Sequence, residues 1–391
     1  MFYNLLQSED LQNWLVEHGL YPLVMVMYQL EFRAFFAVVV SFLFVLLFGR
    51  PTIRFLLRQK IGDAPEFYHA DLNKLMSSKA ATPTMGGVLI CISILATVLL
   101  LADMTERYVH LALIVLLWLA VVGGADDWLK LTSARRNPGA REGLYAWEKL
   151  LFQLGIGAIA GFFLFRHGFG DEVTRVLNLP FQRTYVPGTG GFVLEESVLL
   201  LGLLPFLIIS TFLIAGTSNA VNLTDGMDGL AGGIMAVAAF GMMVLCFVAG
   251  DPQTAQTLMF PHVSGGRELM VVSGAMAGAC LGFLWFNCAP AQVFMGDTGS
   301  LPLGGLLAYI AIAIRQEILL LIIGIIFFME MASVILQVGY FKFTGGRRIF
   351  RCSPIHHHFH LGGWSEQQVV TRFWLLAVIF TMLALVSLKL R

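Results

Sequence analysis

The stretch "LLLGLLPFLIISTFLIAGTSNAVNLTDGMDGLAGGIMAVAAFGMMVLCFVAG", residues 199–250, decides how the rest of the chain is read. Two apolar runs flank a short polar segment, and each is long enough to cross about 30 Å of hydrocarbon, which takes roughly 20 residues. Between them Asn219, Asn222, Asp225 and Asp228 recur at steps of three. On a helix such a step turns by about 300°, so successive members drift slowly around one broad face. Carboxylates and carboxamides would then line a single surface at a membrane edge. Gly226 and Gly229 would loosen that helix and let its backbone approach a ligand. Capping of a helix end is the ordinary role of one such residue; four in register beside other acidic clusters point to a site.

The same pattern runs along the whole chain. Residues are 57% hydrophobic and 13% charged, against about 45–50% and 25% in soluble domains. The reading is one all-α polytopic membrane domain over 1–391. Its ten expected spans lie near 32–53, 85–102, 109–125, 149–166, 197–217, 230–249, 268–287, 299–314, 317–338 and 371–389. The acidic segment 1–31 lacks the basic start of a signal peptide and is expected at the interface. Zero net charge gives no field that would draw nucleic acid. The five cysteines form no CxxC pair and read as small buried hydrophobes. No internal repeat is evident, which weakens an inverted-repeat transporter reading.

Lysine and arginine sort by loop. Those after odd-numbered spans carry Arg54, Arg58, Lys60, Lys74, Lys79, Lys130, Arg135, Arg136, Arg141, Lys342, Arg347, Arg348 and Arg351. Those after even-numbered spans carry only Arg107, Arg175, Arg183, Arg267 and Arg315. The bias makes odd loops cytoplasmic and puts both termini outside, on the periplasmic side. Every unusual polar cluster then falls on the inner face: "SSKAATPTMGG" (77–87), "GGADDWLK" (123–130), the 219–233 segment, "NCAPAQVFMGDTGS" (287–300), and "RCSPIHHHFHLGG" (351–363) in a cytoplasmic loop over 339–370. A single cytoplasm-facing site is expected.

The chemistry follows from the donor types. Adjacent Asp126 and Asp127 resist joint ionisation unless a cation or partner stabilises them. With Asp297 they can surround a hard cation such as Mg²⁺, which takes one or two carboxylates plus waters and substrate phosphates. The run His356–His358 has no Cys/His partner spacing for zinc, and suits contact with phosphate or sugar, or one acid–base role. Glu330 lies in mid-span, where an acid is either functional or hydrogen-bonded between helices. Gln337, nearer the helix end, is the better placed to reach a site. No GxxxxGK[ST] loop, no HExxH and no dinucleotide fingerprint occurs.

"GGADDWLK", "NAVNLTDGMDGLAGG", "VFMGDTGSLPLGG" and "PIHHHFHLGGWSE" resemble the polyprenyl-phosphate N-acetylhexosamine-1-phosphate transferases, and among them the phospho-N-acetylmuramoyl-pentapeptide-transferases. The resemblance covers essentially the whole chain, and the "HHHFH" run favours the muramoyl-pentapeptide branch. It implies a bacterial inner-membrane enzyme of peptidoglycan synthesis. Its substrates would be UDP-N-acetylmuramoyl-pentapeptide and the membrane lipid undecaprenyl phosphate, its products lipid I and UMP, its cofactor Mg²⁺, and its assembly a homodimer. One diphosphate linkage replaces another, so no ATP loop is needed.

By that resemblance Asp297 ligates the metal, while Asp126 and Asp127 orient or deprotonate the lipid phosphate or join the metal site. Lys79, Thr84 and Lys130 belong to the active site, and the lysines would neutralise phosphate. Asn222, Asp225 and Asp228 line the nucleotide pocket, with Phe294 as a stacking face. Gln337, His356, His357 and His358 lie toward sugar and peptide, with His356 a catalytic candidate. Direct attack by the lipid phosphate and a phospho-aspartyl intermediate both remain open at this point. So do a sister transferase using UDP-N-acetylglucosamine and, from another class, an ion transporter.

Overall fold

The structure is a computed structural model that describes residues 2–58, 82–132, 143–168, 171–188 and 191–390. Among the described residues ten long apolar helices make the body: α1 (Leu30–Arg58), α2 (Gly87–Leu101), α3 (Arg107–Thr132), α4 (Ala146–His167), α5 (Leu203–Thr224), α6 (Leu230–Gly250), α7 (Leu269–Asn287), α8 (Asp297–Ala313), α9 (Ile325–Phe343) and α10 (Glu366–Val386). Eight have the length and hydropathy to cross a membrane, while α2 and α8 are apolar but shorter, at 15 and 17 residues. The protein is a multi-pass, all-α membrane protein. Among the described residues the one sheet is a two-stranded antiparallel pair, β1 (Val176–Leu177) with β2 (Leu199–Leu200), between α4 and α5.

The helices alternate in direction, as their end contacts show. At one end the start of α2 pairs with the strand-like segment before α8, through Gly86 N–H to Phe294 O at 2.8 Å and Gly87 N–H to Met295 O at 2.9 Å. Gly229, just before α6, donates to Asn287 Oδ1 at the end of α7 at 3.0 Å. At the other end Arg33 of α1 donates to Leu101 O of α2 at 2.9 Å and pairs with Glu268 before α7. There, too, Tyr309 OH of α8 donates to Tyr108 O of α3 at 2.7 Å. The N-terminal segment docks at this second end, where Asn4 bonds Asp103 and the Met104 N–H.

Helix α8 is the centre of the bundle, with all 17 of its residues buried. A helix so enclosed can begin part-way through the membrane, because protein rather than lipid surrounds its start. Helix α7 lies against α1 along Gly274, Gly278 and Gly282, where an added Cβ would strike Ala34 O, Val38 O and the Val45 side chain. Small residues at steps of four let the backbones touch, which in lipid stands in for a hydrophobic driving force.

Boundaries depart from the sequence reading where polar side chains find partners. Helix α3 runs seven residues past its expected end at 125 and carries "DDWLK" on its last turns, not in a loop. Helix α5 begins after Gly202, because residues 199–200 are taken by β2, and reaches Thr224. Helix α10 starts at Glu366 rather than 371, since Ser365 and Gln368 form a capping box ahead of the apolar run. The ninth expected span is broken at Gly324 into Glu317–Ile323 and α9. All five cysteines are unpaired; Cys91, Cys246 and Cys280 are buried as expected, whereas Cys288 is exposed and Cys352 half-buried.

Candidate active site

The extension of α3 delivers its acids to the start of α8. Asp126 and Asp127 point to different partners, as neighbours about 100° apart must. Asp127 closes the N-terminus of α8: its Oδ2 accepts from Thr298 N–H at 2.9 Å and Thr298 Oγ1 at 2.6 Å, and its Oδ1 from Asp297 N–H at 3.1 Å. A carboxylate there meets free N–H groups and the positive end of the helix dipole. Gly296 makes the approach possible. Its φ is +72°, and a side chain on it would press on Asp127 Oδ2 and Thr84 Oγ1.

Asp126 and Asp297 face one another instead. Lys149 Nζ, on the first turn of α4, lies 3.2 Å from Asp126 Oδ2 and 3.0 Å from Asp297 Oδ2. Lys130 Nζ lies 2.7 Å and 3.5 Å from the same two oxygens. Asp126 Oδ1 accepts the Leu144 N–H at 2.7 Å, and Asp297 Oδ1 accepts Asn222 Nδ2 at 2.7 Å. The latter amide also donates to Ser300 Oγ at 2.9 Å. Asp126, Asp127 and Asp297 are all buried and offer ligand oxygens that lie within 4.8 Å of one another. Hard oxygen donors converging in a buried site fit a divalent cation. Two lysine ammoniums now balance the charge of the facing pair.

Beyond α5 the polar step-of-three pattern leaves the helix. Asn219 turns away to α4, donating to Gln153 Oε1 at 2.6 Å, so the four-residue stripe does not line one surface. Asp225 and Asp228 sit in the 225–229 turn. Burial pushes the Asp225 carboxyl up to about 7, the negative charges of Asp297 and Asp127 push the same way, and the Gly296 N–H opposes them. Asp228 Oδ2 accepts the Ala291 N–H at 3.0 Å, which ties this turn to the loop carrying half-buried Phe294. Glu366 Oε1 accepts the Asp228 N–H at 2.9 Å.

The histidine run forms a short helix, Ile355–Leu361, against α9. His356 is wholly buried, its Nδ1 3.1 Å from Glu330 Oε2, and its Nε2 faces Gly226, where any Cβ would collide with it. Mid-span Glu330 is thus paired with a histidine that supports the Asp225 turn. His357 is buried with its ring centroid 4.1 Å from that of His356. His358 accepts the Arg351 N–H at 3.1 Å. Gln337 is committed to its own loop, accepting from Ile349 and Phe350 N–H at 3.0 Å and donating to Phe350 O at 3.0 Å. Its amide therefore braces the loop rather than reaching outward.

Asp126, Asp127, Asp297, Lys130, Asn222, Thr84 and Asp225 come together, and the turn holding Asp228 adjoins them. Lys79 lies outside the described residues. Sequence reading missed Lys149, Asn287 and Glu366. For Lys149 the signal was a lysine, next to Glu148, at the start of an apolar run, "AWEKLL".

Comparison with known proteins shows the family. The family model for glycosyl transferase family 4 matches residues 108–315, and signature 1 of the phospho-N-acetylmuramoyl-pentapeptide-transferases matches residues 79–91. The chain is similar to proteins of that name from Oleidesulfovibrio alaskensis, 42% identical over 95% of this chain and 96% of the relative. The one from Desulfosudis oleivorans is 42% identical over 96% and 99%. The one from Thermodesulfovibrio yellowstonii is 43% identical over 93% and 94%. With matches of this extent and an acid–lysine cluster at one end of the helices, the chain belongs to glycosyl transferase family 4 and, within it, to the phospho-N-acetylmuramoyl-pentapeptide-transferases.

Proposed function

We propose that the protein transfers phospho-N-acetylmuramoyl-pentapeptide from its UDP-activated form to undecaprenyl phosphate at the cytoplasmic face of a bacterial inner membrane. An oxygen of the lipid phosphate bonds to the sugar-linked phosphorus, the bond from that phosphorus to the bridging oxygen breaks, and UMP leaves. The observation that carries this reading is the meeting of Asp126, Asp127 and Asp297 with Lys130 and Lys149 at one end of the bundle. Lys/Arg bias assigns that end to the cytoplasm. One substrate is soluble and the other is anchored in lipid, so a site at the bundle's end serves both.

Asp126 and Asp297, whose facing oxygens share the lysines, would hold Mg²⁺, with Asp127 fixing the start of α8 beside them. When bound, the ion would supply positive charge to a diphosphate inside an acidic site. Lys130 and Lys149 bind phosphate oxygens and offset charge as it moves to the leaving UMP. Asn222 orients Asp297 through Oδ1. The Asp228 turn and Phe294 hold the nucleotide, and the His356–His358 helix borders the sugar and peptide.

Direct attack is the favoured course. Both Asp127 oxygens accept hydrogen bonds from the start of α8, which makes Asp127 a poor nucleophile. A phosphate monoester with a second pKa near 6 is already largely dianionic at neutral pH. The decisive assay incubates the purified protein with the UDP-sugar, undecaprenyl phosphate and Mg²⁺, and follows UMP and lipid-linked sugar. Formation of both, abolished reversibly by EDTA, is expected. Turnover only with UDP-N-acetylglucosamine would establish the sister activity, and label from the sugar phosphate trapped on the protein would establish the covalent course.

A further inference from the structure

The end of the bundle remote from the carboxylates carries a second polar concavity. Arg107 and His110, at the start of α3, and Arg166 and His167, at the end of α4, line a cleft of about 400 Å³ whose other walls are Leu111 and Phe163. Four of these six side chains are cationic or become so on protonation, and none is acidic. Three other arginines at this end are neutralised, Arg33 by Glu268, Arg267 by Glu31 and Arg315 by Glu317, while Arg175 lies over the Phe165 ring. Among the described residues Arg107 and Arg166 make no ion pair, and both are exposed.

Helix electrostatics sharpens the point. Arg166 and His167 in the last turn of α4 are where cations are favoured, so helix stability alone accounts for them. Arg107 opens α3; Glu106 before it turns its carboxyl toward Gly265, away from the cleft, and the first turn itself holds no acid, so on the cleft side a cation adds to the positive helix end. Such an arrangement is stabilised by an external anion. Phe163 and Leu111 lie one turn further into the bundle than Arg166 and Arg107, so the cleft is cationic at the helix ends and apolar toward the membrane interior.

We propose that this cleft binds the phosphate headgroup of an anionic phospholipid, with its acyl chain over Leu111 and Phe163. Arg107 and Arg166 would clamp the phosphate, as arginine suits that geometry. The site is separate from the transfer chemistry and rests only on the helices spanning a membrane.

Native mass spectrometry of the full chain, delipidated in neutral detergent, tests it with dioleoyl phosphatidylglycerol, dioleoyl phosphatidylcholine and inorganic phosphate as probes. The unaltered protein should hold one more phosphatidylglycerol than Arg107→Gln/Arg166→Gln, at roughly tenfold higher affinity. Phosphatidylcholine should not distinguish them, and Arg107→Lys/Arg166→Lys should retain most of the binding. UMP release should be equal in all three proteins, which also reports their folding. If the double variant fails to fold, Arg107→Gln and Arg166→Gln singly should each show part of the loss. Equal phosphatidylglycerol binding by protein and variant would overturn the proposal, as would displacement of the lipid by millimolar phosphate, which would mark a free-phosphate site.

Discussion

Lys149 Nζ stands 3.0 Å from Asp297 Oδ2, joining the first turn of α4 to the first residue of α8 across 148 positions of sequence. The same ammonium reaches Asp126, so it is the shared counter-charge of the facing carboxylates. Lys149→Met should lower the rate of UMP release by about a hundredfold or more, the usual effect of removing one preorganised charge from a transfer site. Circular dichroism should show an intact helical protein. A folded variant turning over at the unaltered rate would take Lys149 out of the chemistry.

The Asp127–Thr298 contact makes a stability prediction of its own. Thr298→Val keeps the shape and removes the 2.6 Å hydroxyl bond to a buried carboxylate. A bond to a charged group is worth about 1.5–3 kcal/mol, so thermal unfolding should shift down by about 2 kcal/mol equivalent. An unchanged melting temperature would mean that Asp127 is satisfied without that hydroxyl.

The Glu330–His356 pair should behave as a unit. Glu330→Gln preserves an acceptor for His356 Nδ1 and should keep part of the activity, while Glu330→Leu should lose most of it, because the backbone N–H and the ring Nδ1 of His356 both lose their partner. A double-mutant cycle of Glu330→Leu with His356→Ala should give a coupling of at least about 1 kcal/mol in transfer rate. Strict additivity would show that the two residues act separately.

Cation binding should release a proton. Asp225, raised to about 7, holds its proton more tightly in the fold than in the unfolded chain. In the cation-free protein its contribution to stability is therefore complete below about pH 4 and is lost as pH rises through 7. A divalent ion at the neighbouring carboxylates favours the charged form and drives the proton off. Titration calorimetry with Mg²⁺ at pH 7, in two buffers of different ionisation enthalpy, should show about half a proton released. Affinity should fall by up to about tenfold per unit below pH 7. A proton count of zero at pH 7 would detach Asp225 from the cation site.

The gathering of acids at one end was legible from sequence, because span length and Lys/Arg bias are properties of local runs. The facing of particular acids was not. "GGADDWLK" looks like the opening of a loop by hydropathy, yet α3 carries it as helix because Lys130 and Lys149 neutralise Asp126 and the start of α8 neutralises Asp127. Nor were the partners of Gln337 legible: near a helix end its amide looked available, and the loop at 349–350 holds it.

From the chain alone came the all-α multi-pass class, the order of the apolar runs, the segregation of their polar ends and the family motifs, since hydrophobic length and residue type are read without knowing any neighbour. Tertiary structure decided that Asp126 faces Asp297 while Asp127 caps α8, that Lys149 bridges the facing pair, and that Glu330 belongs to His356. Those outcomes depend on how each helix is rotated about its axis, which is set by close packing such as that of the α7 glycines on α1, among residues far apart in sequence.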